Sequence, residues 1–475
     1  MNVVNQVRRG FYADSVALMR VARELSGAPG VSEASLMIGT PSNKALLRES
    51  GLLTKAGEGA RPDDLIIAVK GRDARAALAL AGGLLESGTG KSEARGGHPT
   101  LASAASSLSG ANLALISVPG AFAAAEARRA LERGLHVLMF SDNVPLAEEV
   151  ALKKFAAARG LLMMGPDCGT ALVAGIPLAF ANAVPRGDVG IVSASGTGLQ
   201  EVSTLLARSG RGVSHGIGVG GRDLYREVGG LMTLAALDAL ETDPATKRII
   251  VISKPPAPSV TKKIAARAAR SKKPVTLCLL GSSNVKLPSR VGLARTLEEA
   301  AGFASTQEVE LKAKGRLRGL FCGGTLCAEA QIVLMDHGLK VSSNAPVPGA
   351  AGKGAPHVLL DLGDDDYTRG RPHPMIEPAL RSEHLEGALR DKAVGVILLD
   401  VVIGYGAHAD PAGLIAAVVR KSKKPVIASV TGTEADPQVY SRQVKTLRGA
   451  GVIVADSNAA AARIAALAVG GRDAS

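Results

Sequence analysis

Tryptophan is absent, and five Tyr with seven Phe bring the aromatics to only 3 % of the 475 residues. Stacking of nucleic-acid bases needs exposed rings, and no helix-turn-helix or zinc-finger spacing is present either. Cysteine is scarce: Cys168, Cys278, Cys322 and Cys327 form no C-x-x-C pair. Reduced thiols are expected from that pattern, rather than a disulfide framework or a zinc site. No stretch reaches the roughly 18 apolar residues of a membrane span. Arg8 and Arg9 are followed by no apolar run, so a secretory signal is not expected and the reading is cytoplasmic. Long basic runs are missing too. The net charge is +13, from 56 Lys and Arg against 43 Asp and Glu, but the positive residues are scattered. That distribution suits a basic solvated surface and small anionic ligands better than nucleic acid or membrane as partners.

What the chain does have is small and aliphatic: 46 % hydrophobic residues and 56 Gly. A core of Val, Ile, Leu and Ala suits parallel strands covered by small-faced helices, an α/β class of doubly wound parallel sheets. At about 150 residues per domain, roughly three domains are expected. Residues 1–86 read as a small N-terminal α/β domain: helix 14–25, strand 34–38, a helix opened by Pro41 and stopped near Gly51, strand 63–71 and helix 73–86. Residues 87–110 are rich in Gly, Ser and Ala and read as a linker, with His98 inside it. From 111 a strand–helix rhythm is continuous: a Rossmann-like domain over 111–186, a flavodoxin-like domain over 187–290, a charged linker over 291–315, and a second, five-stranded flavodoxin-like domain over 316–475.

In open α/β sheets ligands sit at the carboxyl ends of strands. "IVSASGTG" (191–198) runs from a strand through glycines into a helix. Glycines let backbone N–H groups approach an anion, and the helix start adds partial positive charge. Ser193, Ser195, Gly196, Thr197 and Gly198 are therefore candidate phosphate-binding residues; the plain alternative is a turn with a serine N-cap. Gly323, Gly324 and Thr325 in "FCGGTLCAE" repeat the arrangement. "VIGYGAHADP", ending at Pro411, is a third glycine-rich turn, and "GPDCGT" (165–170) a fourth, where Asp167 or Cys168 is either reactive or part of a tight proline turn. None matches a P-loop. In "DLGDDDYTRGRPHPM" (361–375), Arg369 and Arg371, with His373, form a candidate clamp for a substrate carboxylate. Asp364, Asp365 and Asp366 offer oxygen ligands for Mg²⁺, unless the loop satisfies its own charges. His215 reads as a structural histidine, and no catalytic base is identifiable.

These motifs carry a resemblance. Val118-Pro119, "SDNVPLAEEV", "GPDCGT", "GDVGIVSASGTG" and "GIGVGGRD" follow the order found in the α subunit of succinyl-CoA synthetase and in NDP-forming acyl-CoA synthetases, over about 111–285. "LDLGDDD", "VILLDVVIGYG" and "GVIVADSNAAAARIAAL" resemble the flavodoxin-like ligase domain of that enzyme's β subunit, over 316–470. The whole layout, with the N-terminal unit and "TRGRPHPM", resembles the FdrA family. The resemblance implies a CoA-binding-like Rossmann domain at 111–186 and two ligase domains after it, with CoA or Mg²⁺ as conceivable cofactors and no resident one required. It also implies that two helix N-termini, at Ser195–Gly198 and Gly323–Thr325, face one phosphate. Two departures bear on activity. The synthetases relay phosphate through a histidine in a Gly-His-Ala-Gly loop, and the corresponding stretch after "KPVTLCLLGSSN" (273–284) has no His. No ATP-grasp segment is visible, so an ATP-driven ligase would need another chain. The FdrA family is associated with purine (allantoin) breakdown, as a component of a multi-subunit oxamate carbamoyltransferase. The resemblance thus implies a subunit of a heteromeric transferase acting on an acyl- or carbamoyl-phosphate. An acyl-CoA synthetase subunit of the ADP-forming succinate–CoA ligase type, and a non-catalytic scaffold or ligand-sensing subunit, are the alternatives.

Overall fold

The computed structural model describes residues 2–11, 15–88, 98, 100–282, 287–307, 309–368, 373–420 and 422–472. The chain divides into two units, Met1–Leu108 with Thr368–Pro372, and Ser109–Tyr367 with His373–Ser475.

The first unit runs β1 (Asn2–Arg8), α1 (Ser15–Ser26), β2 (Val31–Ile38), α2 (Pro41–Glu49), α3 (Lys55–Glu58), β3 (Leu65–Gly71), α4 (Ala74–Gly88) and α5 (Leu101–Ser107). Its sheet is antiparallel in the order β1-β3-β2. The continuous apolar run of β3 is buried because it is the central strand. β1 is absent from the sequence reading. Its "NVVNQVR" interrupts the apolar alternation with Asn5 and Gln6, as a half-buried edge strand tolerates. The segment read as a linker holds α5, opened by a capping box between Thr100 and Ser103. His98 finds Ser107 Oγ at 2.7 Å from its Nε2.

The second unit opens with β4 (Leu113–Ile116), α6 (Gly120–Glu132), β5 (His136–Met139), α7 (Leu146–Ala157) and β6 (Met163–Met164), a parallel three-stranded sheet in sequence order. A hairpin, β7 (Thr170–Val173) and β8 (Ile176–Ala179), follows. The first wound lobe is β9 (Arg186–Ser193), α8 (Gly196–Arg208), β10 (Val213–Gly218), α9 (Leu231–Thr242), β11 (Arg248–Ser253), α10 (Pro258–Ala269), β12 (Val275–Leu279), β13 (Val291–Ala294) and α11 (Leu297–Ala301). The second wound lobe is β14 (Arg316–Phe321), α12 (Gly324–Asp336), β15 (Val341–Ser343), β16 (His357–Asp361), α13 (Asp365–Thr368), α14 (Ala379–Arg390), β17 (Val394–Val402), α15 (Pro411–Val419), β18 (Val426–Thr431), α16 (Tyr440–Gly449), β19 (Ile453–Ala455) and α17 (Asn458–Ala468).

The sheet orders are β13-β12-β11-β9-β10-β7-β8 and β15-β16-β14-β17-β18-β19. Stripped of the edge hairpin β7–β8 in one and of β15 in the other, both are parallel sheets in the order second-first-third-fourth-fifth, the flavodoxin-like arrangement. The second lobe therefore has six strands where the sequence pattern has five; β15 is only three residues long and too short to carry a pattern. In both sheets the first strand is internal, so its carboxyl end lies at the crossover where ligands bind in such folds.

A single hydrophobic core joins the lobes. It includes Val202, Leu205 and Leu206 of α8, Leu297 and Ala300 of α11, Leu326, Ala330 and Leu334 of α12, and Ala461, Ala462, Ala465 and Ala466 of α17. The alanine face of α17 buries with little side-chain bulk, which lets the four helices pack closely. Buried glutamates fix the packing reciprocally. Glu201 on α8 accepts from the N–H of Asn458, the first residue of α17 (3.0 Å). Glu329 on α12 accepts from the N–H of Leu297, the first residue of α11 (2.6 Å). Each lobe thus supplies a carboxyl that satisfies an orphan helix-start donor of the other. No helix among the described residues is long and apolar enough to cross a membrane.

Candidate functional site

β9 ends at Ser193 and α8 starts at Gly196, so the intervening turn must present its backbone at the sheet's carboxyl edge. Ser193 braces that turn: its Oγ donates to Ser195 O (2.6 Å) and accepts from Ser195 N–H (3.1 Å). Ser195 is the N-cap, its Oγ accepting from Gly198 N–H at 2.9 Å. The amides of Gly196 and Thr197 head the helix with no acceptor among the described residues.

β14 ends at Phe321 and α12 starts at Gly324. Here the cap is different. The N-cap is Gly323, and Asp400, at 0 % exposure in β17, accepts from Cys322 N–H (2.8 Å) and Gly323 N–H (2.7 Å). Arg381 NH1 in turn donates to Asp400 O (2.7 Å) and to Cys322 Sγ (3.1 Å).

The two heads meet. Ser195 Oγ and Thr325 Oγ1 are hydrogen-bonded at 2.5 Å. A Cβ built on Gly323 would press on Thr197 Cγ2 at 3.0 Å, so the two turns approach closely at a position without a side chain. A Cβ on Gly324 would collide with the carboxylate of Asp361 and approach Lys254 Nζ at 3.2 Å. Asp361 ends β16 and is buried, and Lys254 follows β11 of the first lobe. Desolvation raises the Asp361 carboxyl to about 6, although Lys254 pulls the other way. Lys254 and Asp400 escaped sequence reading because each reaches the site from a strand distant in the chain. A lysine one residue past a buried strand was the only signal.

A recess opens beside the first head, lined by Asp167, Thr170, Ser195, Gly196 and Gly220 among others. Thr170 Oγ1 donates to Phe180 O at 2.6 Å and lies under Gly196, where a Cβ would touch it. The "GPDCGT" turn contributes Asp167 through a left-handed backbone, φ +55°, after the cis Gly165–Pro166 bond. Asp167 is surface-accessible at the recess mouth yet deep among protein atoms. This desolvation, with Asp142 and Asp365 nearby, raises its carboxyl to about 6. Cys168 is buried, and its thiol is pushed up to about 12, which removes the thiolate a nucleophile needs.

Of the other residues singled out, His373 is half-buried. Its Nδ1 accepts from Met375 N–H (3.2 Å), and desolvation pushes it down to about 4, so the ring is neutral near pH 7. Its Nε2 lies against Gly363, just past the end of β16. Arg369 and Arg371 lie outside the described residues. His215 is structural: Nδ1 accepts from Ala174 N–H at 3.1 Å, and Nε2 lies 3.8 Å from Asp243. Among the described residues no group of three or more His, Cys, Asp or Glu is gathered as a metal site, Asp364 to Asp366 included.

Two family models match: "CoA-ligase" over residues 320–468 and "AllF, heavy metal-associated domain" over 1–100. "Uncharacterized protein YahF" of Escherichia coli (strain K12) is 40% identical over 500 residues, 96% of this chain and 97% of that protein. The ADP-forming succinate–CoA ligase subunit alpha of Aquifex aeolicus (strain VF5) is 30% identical over 149 residues, 30% of this chain and 48% of the relative, so the match spans about half of that subunit. Among solved structures, the dinucleotide-forming acetyl-coenzyme A synthetase 1 of Ca. Korarchaeum cryptofilum, in complex with phosphate and ADP, has a TM-score of 0.34 at 18% identity, covering 75% of this chain and 82% of that one. The scaffold is CoA-ligase-like with an AllF-type N-terminal domain. Residues 1–100 contain no Cys and a single His, His98, so no thiolate ligand for a heavy-metal ion is present there.

Proposed function

The chain belongs to the FdrA family, and from that premise we propose that it is a subunit of a heteromeric enzyme acting on an acyl- or carbamoyl-phosphate, of the oxamate carbamoyltransferase type. The observation that carries this reading is the 2.5 Å contact between Ser195 and Thr325, which puts the starts of two helices from separate lobes side by side. Each start has unsatisfied N–H groups and partial positive charge, and together they suit a phosphate whose charge grows as the carbonyl–oxygen bond breaks. In this reading the amides of Gly196 and Thr197 and the Ser195 hydroxyl hold phosphate from one side, and Gly324 with Thr325 from the other. Gly198 donates its amide to Ser195, Gly323 donates to Asp400, and Ser193 braces the turn, so these three shape the site without donating to the ligand. Arg369 and Arg371, with His373, orient the acceptor's carboxylate. A histidine relay has no carrier in the stretch after 273–284, which favours direct transfer of the carbamoyl group.

The ADP-forming acyl-CoA ligase is the second reading, favoured by the match of 320–468 to the CoA-ligase model. In it, partner chains would bring nucleotide, and CoA would be the acyl acceptor. Co-purification of the native complex through this chain, followed by assay of phosphate release from carbamoyl phosphate with and without oxamate, separates the two. Arsenolysis of oxalurate probes the reverse direction. Oxamate-dependent release is expected. CoA-dependent ADP formation without it overturns the transferase reading. Full activity after Ser195→Leu with Thr325→Leu leaves only a scaffold.

A further inference from the structure

Five aspartates are buried among the described residues, and four of them have a backbone donor on each carboxylate oxygen. Asp64 takes the amides of Gly10 and Arg61, Asp223 those of Met232 and Thr233, Asp400 those of Cys322 and Gly323, and Asp436 those of Ala183 and Thr433. Asp361, 4 % exposed, is the fifth. Its Oδ1 accepts from Gly363 N–H at 3.0 Å, and no donor among the described residues reaches Oδ2. Asn344 grips the backbone here from both sides: its Oδ1 accepts from Asp361 N–H (2.9 Å) and its Nδ2 donates to Asp361 O (2.9 Å). The side chain is thereby held in place with one oxygen unpaired, which costs free energy in a buried carboxylate. That oxygen faces Gly324, where any Cβ would collide with it, one residue from the Thr325 that meets Ser195. Lys254 Nζ would lie 3.2 Å from the same Cβ, and it makes no hydrogen bond or ion pair with the described residues.

We propose that Asp361 Oδ2 selects the substrate by accepting a hydrogen bond from a carbamoyl –NH2 group, with Lys254 against the phosphate, so that the site takes carbamoyl phosphate and turns away acyl phosphates. The proposal rests on the reading of the two helix heads as a phosphate site, and it narrows the substrate class that reading leaves open. A carboxylate beside a phosphate is repulsive, and a ligand that brings only a methyl or methylene group there leaves the buried oxygen both desolvated and unpaired. A ligand that brings N–H satisfies it. Sites built around such an unpaired group reject the analogue that lacks the partner far more strongly than a pocket of matched shape does. Lys254 supplies the other half. Its cation stands at a helix start, whose partial positive charge disfavours it until an anion lies between them. A metal ion suits the spot poorly: it would compete with this ammonium, and among the described residues no group of three or more His, Cys, Asp or Glu gathers to hold one.

The test compares two stable probes, phosphonoacetamide and 2-oxopropylphosphonate, which differ only in –NH2 against –CH3. Their binding to the complex isolated through this chain is measured by calorimetry at pH 8, with inorganic phosphate as the reference. The wild type should bind the amide about 10–100-fold more tightly than the ketone, the range of one hydrogen bond to a charged group. Asp361→Asn, whose amide nitrogen would replace Oδ2 while its carbonyl keeps Gly363, should bring the two within threefold and bind inorganic phosphate at least as tightly as the wild type. Equal binding of the probes by the wild type, or an undiminished preference in Asp361→Asn, overturns the assignment and leaves the phosphate reading standing. A wild-type complex that binds neither probe nor phosphate overturns both. If Asp361→Asn unfolds, seen as a lowered Tm with lost phosphate binding, the wild type decides by its pH dependence. Desolvation holds this carboxyl up at about 6, with Asp364 and Asp400 adding to the rise and Lys254 opposing it. Because Oδ1 is taken by Gly363, the proton settles on Oδ2 and turns the acceptor into a donor. The preference for the amide should therefore shrink from pH 8 to pH 5, and a constant ratio overturns the assignment.

Discussion

The first and second wound lobes have the same strand order, yet they finish their leading helices by opposite means. In the first, a serine caps the helix and leaves the amides of Gly196 and Thr197 without an acceptor among the described residues. In the second, a buried aspartate lies under the turn and takes the amides of Cys322 and Gly323. An aspartate at a helix start neutralises part of the positive field that would otherwise attract an anion. The second head is thereby fixed as a wall bearing Thr325, and the first is left as the principal anion-binding edge. A shared fold thus carries two electrostatic roles, and Asp400, inside the third strand of the second lobe, marks the difference.

The largest effect that would break this comparison is expected from Asp400→Ala. It strips Arg381, 3 % exposed, of its counter-charge and leaves two buried N–H groups unpaired. A loss of about 3–5 kcal/mol is expected by urea denaturation; a loss below about 1 kcal/mol would show that the second head does not depend on its aspartate. The reciprocal clamps come next. Glu201→Ala and Glu329→Ala should each cost about 1–3 kcal/mol, from the orphaned amides of Asn458 and Leu297. Their double mutant should be non-additive, since both join the same pair of lobes; strict additivity would mean the clamps act separately. Ser195→Ala should cost about 1 kcal/mol as a lost N-cap. It should weaken phosphate binding more than Thr325→Val does, and the reverse order would exchange the roles of the heads.

The remaining effect is a pH dependence. Glu329 is fully buried and pushed up to about 8, first by desolvation and then by the charge of Glu201, from an ordinary 4.5. Between those values the folded chain holds a proton that the unfolded chain has released, so this group costs stability progressively as pH rises from about 5 to 8. Glu201, Asp361 and Asp167 are raised too and act in the same direction. The urea midpoint should therefore fall between pH 6 and pH 9, and Glu329→Gln, whose carbonyl can still accept from Leu297, should flatten the fall. An unchanged slope would place the titration elsewhere.

Much of the scaffold was legible. "IVSASGTG" and "FCGGT" read as strand, turn and helix because unbroken aliphatic runs end abruptly in Ser and Gly, and β9–α8 and β14–α12 start and stop there. The edge elements β1, β13, β15 and the hairpin β7–β8 were not legible, because β1 breaks its alternation with Asn5 and Gln6 and the others span only three or four residues. Asp400, Lys254 and the glutamate clamps were not legible either. Nothing local distinguishes Glu201 inside "LQEVSTLL" from a solvated helix residue; its partner Asn458 is 257 positions away.

Composition and periodicity by themselves determined an aliphatic, aromatic-poor α/β chain with glycine turns at strand ends, because hydrophobic period and backbone freedom are properties of neighbouring residues. The meeting of two such turns, the aspartate that closes one of them and the carboxyl exposed beside the other depend on which distant segments pack together. Tertiary structure alone decided these, because desolvation and charge proximity exist only once the lobes have closed on one core.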